Sequence, residues 1–335
     1  MSTKVQVQQT TWLASGVVQL VLRHIDGAAL PAWEPGAHIG LRLPNGLVRQ
    51  YSLCGDPADE DGWTVAVLHT PDSRGGSEWI HQRLTAGTVL EVDGPRNNFP
   101  LVASSRYLFI AGGIGITPLL PMVRALAEDP ARRDRWQLLY CGRSRERMAF
   151  LSELAGFGDE HVSVHADDEH GGPCDLAARL ATVEPGTTVY CCGPEPLISA
   201  VEQAIPDGVE LHVERFRLAT TDNPVEAGAG VGSGLGTEAE SGAFDVVCAG
   251  SGARVRVEPD VPVLDALQQA GFDMPFSCRE GVCGSCETPV VTGEPDHRDA
   301  VLSEAERDSN HSMMVCVSRS HSPELVLDLD ETAGR

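Results

Sequence analysis

Cys278-Arg-Glu-Gly-Val-Cys283-Gly-Ser-Cys286, completed by Cys316 in Met313-Met-Val-Cys-Val-Ser-Arg319, decides how this chain is read. The spacing C-x4-C-x2-C with one distant cysteine sets four thiolates around a [2Fe-2S] cluster. Three thiolates on one tight loop must converge on a small inorganic core, so the backbone needs positions free of a bulky side chain or able to take a positive φ. Gly281 and Gly284 supply them. They also let backbone N–H groups approach the sulfurs, and such hydrogen bonds help set a reduction potential. A tetrahedral zinc site usually pairs one C-x2-4-C with a second, whereas here three ligands crowd one loop and one stands apart. A zinc knuckle or a set of inert buried thiols is therefore the weaker reading.

Working outward, the residues from about Phe244 to Leu329 resemble a plant-type ferredoxin. Phe244-Asp-Val-Val-Cys248 and Ala253-Arg-Val-Arg-Val-Glu258 predict a hairpin, and Val263 to Ala270 a helix before the cluster loop. Cys248 falls outside the ligand spacing and reads as core. His297 and His311 raise the thought of a Rieske centre, but that centre replaces two cysteines by histidines, and four well-spaced cysteines remove the need.

The whole chain of 335 residues carries ten cysteines and a formal net charge of −23. Four cysteines belong to the cluster pattern, and Cys191-Cys192 are adjacent and poorly placed to pair with each other, which together fit a reducing compartment. No stretch is apolar for long enough to cross a bilayer, and Met-Ser-Thr-Lys-Val lacks a signal-peptide core; a cytoplasmic location without membrane association is expected. The acidic balance argues against nucleic acid, which needs a basic surface. From Phe244 onward 17 acidic residues stand against 7 basic ones, which is read first as serving solubility, with an acidic docking face for a basic redox partner as the functional alternative.

Residues 1 to about 100 run as short alternating strands broken by Gly and Pro, such as Val17-Val-Gln-Leu-Val-Leu-Arg, His38-Ile-Gly-Leu-Arg-Leu and Trp63-Thr-Val-Ala-Val-Leu-His, which predicts a small antiparallel barrel. Arg49-Gln-Tyr51-Ser52 offers a guanidinium for a phosphate, an aromatic ring to stack and a hydroxyl, and a period-2 strand is expected to set all three on one face. Ser73-Arg74-Gly75-Gly76-Ser77 precedes a short helix expected from Glu78. Glycines and a hydroxyl at a helix N-terminus make an anion site.

From Arg106 the period changes. Tyr107-Leu-Phe-Ile-Ala111 reads as a strand and Gly112-Gly113-Ile114-Gly115-Ile116 as a turn. Thr117-Pro118 then opens a helix, with Thr117 as N-cap and Pro118 at the first helical position. Strand, glycine turn and helix N-terminus together form the physical recipe for holding a pyrophosphate, although Pro118 stands where a G-x-G-x-x-G fingerprint has its third glycine. Further strands (Trp136 to Cys141, His161 to His165, Thr188 to Cys192) alternate with helices (Ala149 to Leu154, Asp175 to Ala181, Glu195 to Ala204). This alternation predicts a parallel sheet with its ligand at the carboxyl ends of the strands. Gly115, Arg143, Ser144 and Cys192-Gly193-Pro194 all fall at such ends.

In this order and spacing, Arg49-x-Tyr51-Ser52, Gly113-x-Gly115-x-x-Pro118 and Cys192-Gly193-Pro194 resemble the ferredoxin-NADP reductase superfamily. With the C-terminal ferredoxin-like stretch, the chain resembles the phthalate dioxygenase reductase family, which includes vanillate demethylase reductases. The resemblance implies a multi-domain protein: an FMN-binding β-barrel over 1–102, an NAD(P)-binding α/β domain over 103–218, a flexible linker over 219–242, and a β-grasp-like [2Fe-2S] ferredoxin domain over 243–335. It implies FMN held by Arg49, Tyr51, Ser52 and the Arg74-Gly75-Gly76-Ser77 loop. It also implies a nicotinamide dinucleotide with Gly113 and Gly115 near its pyrophosphate and Cys192 beside the nicotinamide. Phe216 matches an aromatic near the flavin, or is a core residue. NADH is the usual donor in the family, whereas Arg143-Ser144, Arg145 and Arg147 leave NADPH open. The expected activity passes electrons from NADH through FMN and the cluster to a separate oxygenase, a Rieske-type ring-hydroxylating or O-demethylating enzyme or, as the alternative, a cytochrome P450. No side chain is needed as acid or base, so Ser52 and Cys192 are read as positioning groups.

Overall fold

The computed structural model describes residues 2–70, 75–216, 242–276 and 278–329. The chain divides into two compact units, residues 1–216 and 217–335.

In the first unit, strands β1 (Ser2–Ala14), β2 (Val17–His24), β3 (His38–Arg42), β4 (Val48–Ser52) and β5 (Gly62–Leu68) are followed by helix α1 (Gly76–Arg83) and strand β6 (Val89–Arg96). They form a sheet in the order β4-β3-β6-β1-β2-β5. Every pairing in it is antiparallel. A bridge from Leu53 to Val65 brings its two edge strands together, so the sheet curls into the expected barrel. Alternation accounts for its core: Val5, Val7, Leu20, Leu22, Ile39, Leu41, Val65, Val67, Leu90 and Val92 are all buried in one cluster, each two residues from a partner on the same strand.

The α/β part comprises β7 (Arg106–Gly112), α2 (Ile116–Glu128), β8 (Trp136–Gly142), α3 (Leu151–Leu154), β9 (Val162–Ala166), α4 (Asp167–His170), α5 (Leu176–Leu180), β10 (Thr187–Cys192), α6 (Glu195–Ala204) and β11 (Glu210–Glu214). The sheet order is β11-β10-β7-β8-β9, and all its strands are parallel. It is covered on both faces: Phe109, Ala111, Leu138, Tyr140 and Cys192 pack with α2, while Leu108, Ile110, Leu139, Cys141 and Cys191 pack with α5 and α6. Cys191 and Cys192 thus project to opposite faces. The chain winds outward from β7 through β8 to β9 and then returns to β10, so the order reverses between β7 and β10. Open α/β sheets bind ligands in the crevice at that reversal.

Within this unit one side chain bridges barrel and parallel sheet. Arg124, in the third turn of α2, donates from Nη1 to the carbonyls of Cys54 and Gly55, 2.7 Å each. It also grips both carboxylate oxygens of Glu153 at 2.6 and 2.8 Å. Beneath it Ala14, Val17, Cys54, Ala66 and Ala149 form a small apolar cluster shared with Ile114 of the glycine turn.

In the second unit, β12 (Phe244–Cys248), β13 (Arg254–Val257), α7 (Val263–Gln269), β14 (Glu287–Thr292), β15 (Pro295–Asp296), α8 (Glu304–Ser309), β16 (Ser312–Met314), β17 (Arg319–Ser320) and β18 (Glu324–Leu327) follow in order. The main sheet, β13-β12-β18-β14-β16, is mixed, with β12 and β18 parallel. α7 buries Val263, Leu264, Ala266 and Leu267 against Val246, Met313 and Leu325.

Four expectations need correction. α2 begins at Ile116 because the 3-10 turn Gly113–Gly115 runs straight into it. Thr117 is consequently inside the helix and donates its hydroxyl to the Ile114 carbonyl at 2.9 Å instead of capping, and Pro118 is the third helical residue, within the first turn. α1 starts at Gly76, two residues before Glu78, because Gly75 takes φ 82 as its cap. The helix expected over Ala149 to Leu154 shrinks to Leu151–Leu154, since Phe150 turns left-handed at φ 64. Ser52 does not share a face with Arg49 and Tyr51: alternation groups 49 with 51, and Ser52 lies across the strand, opposite His38. The linker expected over 219–242 lies, except for Gly242, outside the described residues.

Candidate functional site

The first constellation is on the barrel. The Arg49 side chain lies so close over Gly76 that a Cβ there would come 2.7 Å from its Cγ and 2.8 Å from its Nε. Two motifs separated by the whole of β5 thus meet: a guanidinium and the N-terminus of α1, both favouring an anion. Ser77, the second residue of α1, accepts from the Thr70 N–H at 3.1 Å; Arg74 lies outside the described residues. Tyr51 packs on the barrel core. Ser52 is buried, and its Oγ has no hydrogen-bond partner among the described residues. Such a hydroxyl is expected to meet a ligand or water, so these residues fit a phosphate-bearing planar cofactor.

The second constellation occupies the crevice where the parallel sheet reverses. A Cβ on Gly115 would fall 2.1 Å from the Cys192 carbonyl oxygen, one on Gly112 2.6 Å from Pro194 Cδ, and one on Gly193 2.9 Å from Gly112 Cα. The glycine turn after β7 and Cys192-Gly193-Pro194 after β10 therefore interlock at backbone distance, which no other residue type permits. Gly113 adopts φ 54, and its carbonyl accepts from Tyr140 Oη at 3.1 Å. Pro194 caps α6. Arg143 and Ser144 follow β8 at the same end of the sheet, and the Arg143 carbonyl accepts from Asp168 N at 3.2 Å. Arg145 is engaged by both oxygens of Glu169 at 2.9 Å. Phe216, two residues past β11, packs partly buried on the core behind Cys192.

Sequence reasoning missed Glu214. It pairs with Cys192 across the β10/β11 ladder, its Oε2 4.0 Å from Cys192 Sγ. Burial pushes its carboxyl up to about 8 and raises the Cys192 thiol as well, with the Glu214 carboxyl adding to that rise. No local motif marks it, because only the register of the last strand brings it beside Cys192.

The third constellation is in the second unit. Cys278, Cys283, Cys286 and Cys316 are all buried. Cys278 bears on the Cys283 thiol, and Cys278 and Cys286 on that of Cys316, while Cys283 Sγ lies 3.2 Å from Ser285 Oγ. Among the described residues no group of three His, Cys, Asp or Glu side chains is placed to hold a single metal ion. Gly281 and Gly284 take φ 66 and 71, and Arg279 joins them at φ 57. Arg279 is held there by Asp265 and Gln268 of α7 at 2.5 and 2.8 Å. The Glu280 N–H donates to Cys278 Sγ at 3.3 Å. Backbone donors aimed at sulfur fit thiolates that carry a cluster.

A barrel with an anion cradle, a parallel sheet with a dinucleotide crevice, and a cysteine-lined loop define a modular flavin and iron-sulfur reductase. Residues 246–321 match the 2Fe-2S iron-sulfur cluster binding domain and residues 109–203 the oxidoreductase NAD-binding domain. The chain is 43% identical over 319 residues to the phenoxybenzoate dioxygenase subunit beta of Ectopseudomonas oleovorans, covering 94% of each. Among solved structures, phthalate dioxygenase reductase, described as transferring electrons from pyridine nucleotides to [2Fe-2S], is 35% identical with a TM-score of 0.67 and 98% of each chain covered. An intact type IV self-sufficient cytochrome P450 monooxygenase is 42% identical with a TM-score of 0.84; the match spans 98% of this chain and 41% of that one. The chain belongs to the phthalate dioxygenase reductase family, and its cofactor set is FMN, a nicotinamide dinucleotide (NADH, with NADPH left open) and a [2Fe-2S] cluster. No helix among the described residues is long and apolar enough to cross a membrane.

Proposed function

We propose that the protein takes electrons from NADH and delivers them to a separate Rieske-type ring-hydroxylating or O-demethylating oxygenase in the cytoplasm. The observation that carries this reading is the pairing, within one compact unit, of the Arg49–Gly76 anion cradle with the interlocked Gly112–Gly115 and Cys192–Pro194 turns. One binds a phosphate-bearing ring and the other a dinucleotide. FMN, when bound, supplies the exchange between a two-electron donor and a one-electron acceptor. The chain's own residues position these groups. Arg49 and the α1 N-terminus hold the flavin phosphate, Tyr51 offers a ring beside it, and Ser52 offers its hydroxyl to the flavin. Gly113, Gly115 and the N-terminus of α2 receive the pyrophosphate, with Thr117 and Pro118 shaping that first turn. Arg143 and Ser144 stand near the adenosine end, while Cys192 and Glu214, both held neutral, shield the nicotinamide from water. The boundaries 1–102, 103–218, 219–242 and 243–335 are the division of labour that goes with these roles.

The similarity to a reductase portion of a self-sufficient P450 favours cytochrome P450 as the second acceptor. Purified protein mixed with NADH and either a Rieske oxygenase or a P450 separates the two. Product formation at a higher rate with the Rieske enzyme is expected, and the reverse order overturns that choice. Arg49→Ala should weaken FMN retention tenfold or more, as the loss of a charge-assisted bond worth about 1.5–3 kcal/mol implies; unchanged flavin content after dialysis contradicts its phosphate role.

A further inference from the structure

Three buried polar atoms on neighbouring barrel strands lack a hydrogen-bond partner among the described residues: Ser52 Oγ, His38 Nε2 and Arg96 Nη1. They form one row. His38 on β3 stands opposite Ser52 on β4 and opposite Arg96 on β6, and directly opposed residues of an antiparallel ladder project from the same face. His38 and Ser52 are each only 5% exposed.

Buried polar groups are nearly always satisfied in native proteins, so three adjacent exceptions call for an explanation. Their frame is rigid. Gly36, at φ +95, lets the Phe99 carbonyl approach to where a Cβ would sit, 1.9 Å away. Asn97 donates to the Pro35 carbonyl at 3.1 Å and accepts from Phe99 N at 3.1 Å. The strand ends carrying His38 and Arg96 are thereby fixed before any ligand arrives. Ser52 is the last residue of β4, the strand that carries Arg49.

We propose that His38 and Arg96 join Ser52 in binding the polar pyrimidine edge of the flavin ring, with Arg96 supplying a positive charge that favours the reduced cofactor. The inference rests on the reading of the barrel as the flavin module. That edge alternates carbonyl oxygens with ring nitrogens, so it accepts from a guanidinium and a hydroxyl and exchanges a hydrogen bond with an imidazole. Reduced flavin concentrates negative charge there, and a fixed cation beside it raises the potential. His38 adds no second charge: burial first, and the Arg96 charge second, lower its pKa to about 4, so the ring is neutral at pH 7.

The test measures FMN dissociation by fluorescence and the two-electron flavin potential by anaerobic spectroelectrochemistry on the full chain. Arg96→Gln should weaken FMN about tenfold and make the potential more negative, by about 30 mV for each tenfold loss of preference for the reduced form. Arg96→Lys should recover most of the potential, and His38→Gln should weaken FMN while leaving the potential near wild type. Arg96→Gln with wild-type FMN affinity and potential overturns the proposal, as does a His38→Gln protein with unchanged FMN affinity if Arg96→Gln fails to fold. A wild-type protein that takes up no flavin would instead refute the flavin reading beneath it.

Discussion

Glu214 acquires its character from a single cross-strand pairing. Folded, its carboxyl stays protonated to about pH 8, against an ordinary value of 4.5. Its contribution to stability is therefore complete below about pH 4.5 and is lost as the pH rises toward 8, because the unfolded chain ionises in that window and the folded one does not. Glu214→Gln removes the titration. Denaturant midpoints of the wild type, measured relative to Glu214→Gln, should decline from pH 5 to pH 8; a difference that stays flat contradicts the burial argument. At this scale the sequence was legible where chemistry and spacing coincide, as in the four cysteines. It was opaque where one register decides, as for Glu214, and where strand parity does, as for Ser52, which lies across β4 from Arg49 and Tyr51.

Elements position these residues through close backbone approaches. The glycine turn, α2 and the Cys192 turn act as one piece, because Gly115 has no room for a Cβ against Cys192. Arg124, farther along α2, ties that piece to Cys54 and Gly55, just beyond β4. Gly115→Ala should force the two turns apart, destabilise the fold by about 1–3 kcal/mol, and raise the NADH concentration needed for half-maximal flavin reduction while leaving FMN content intact. Unchanged NADH affinity with a wild-type melting profile would show that the turns do not need this contact. The barrel, the parallel sheet and the order of the motifs follow from period and punctuation in the sequence. The start of α2 does not, since a 3-10 turn that runs into a helix leaves Thr117 looking like a cap when it is already inside.

At the scale of the whole molecule, the acidic balance of −23 bears on how a basic partner would be met. Attraction between an acidic face and a basic acceptor is screened within roughly 8–10 Å at physiological salt. The second-order rate of electron delivery to the oxygenase should therefore fall as ionic strength rises, while the rate of flavin reduction by NADH stays constant. A delivery rate indifferent to salt would assign the charge to solubility alone. The two compact units also separate the proposed roles, with both constellations proposed to bind nucleotides in the first and the four cysteines proposed to hold the cluster in the second. Cys316→Ser therefore tests the relay most directly. In an anaerobic experiment with one equivalent of NADH, the flavin absorbance of wild type and variant should bleach at the same rate, and only the wild type should go on to lose its cluster bands. A flavin that NADH leaves oxidised, or a variant that loses flavin reduction together with the cluster, would contradict the account.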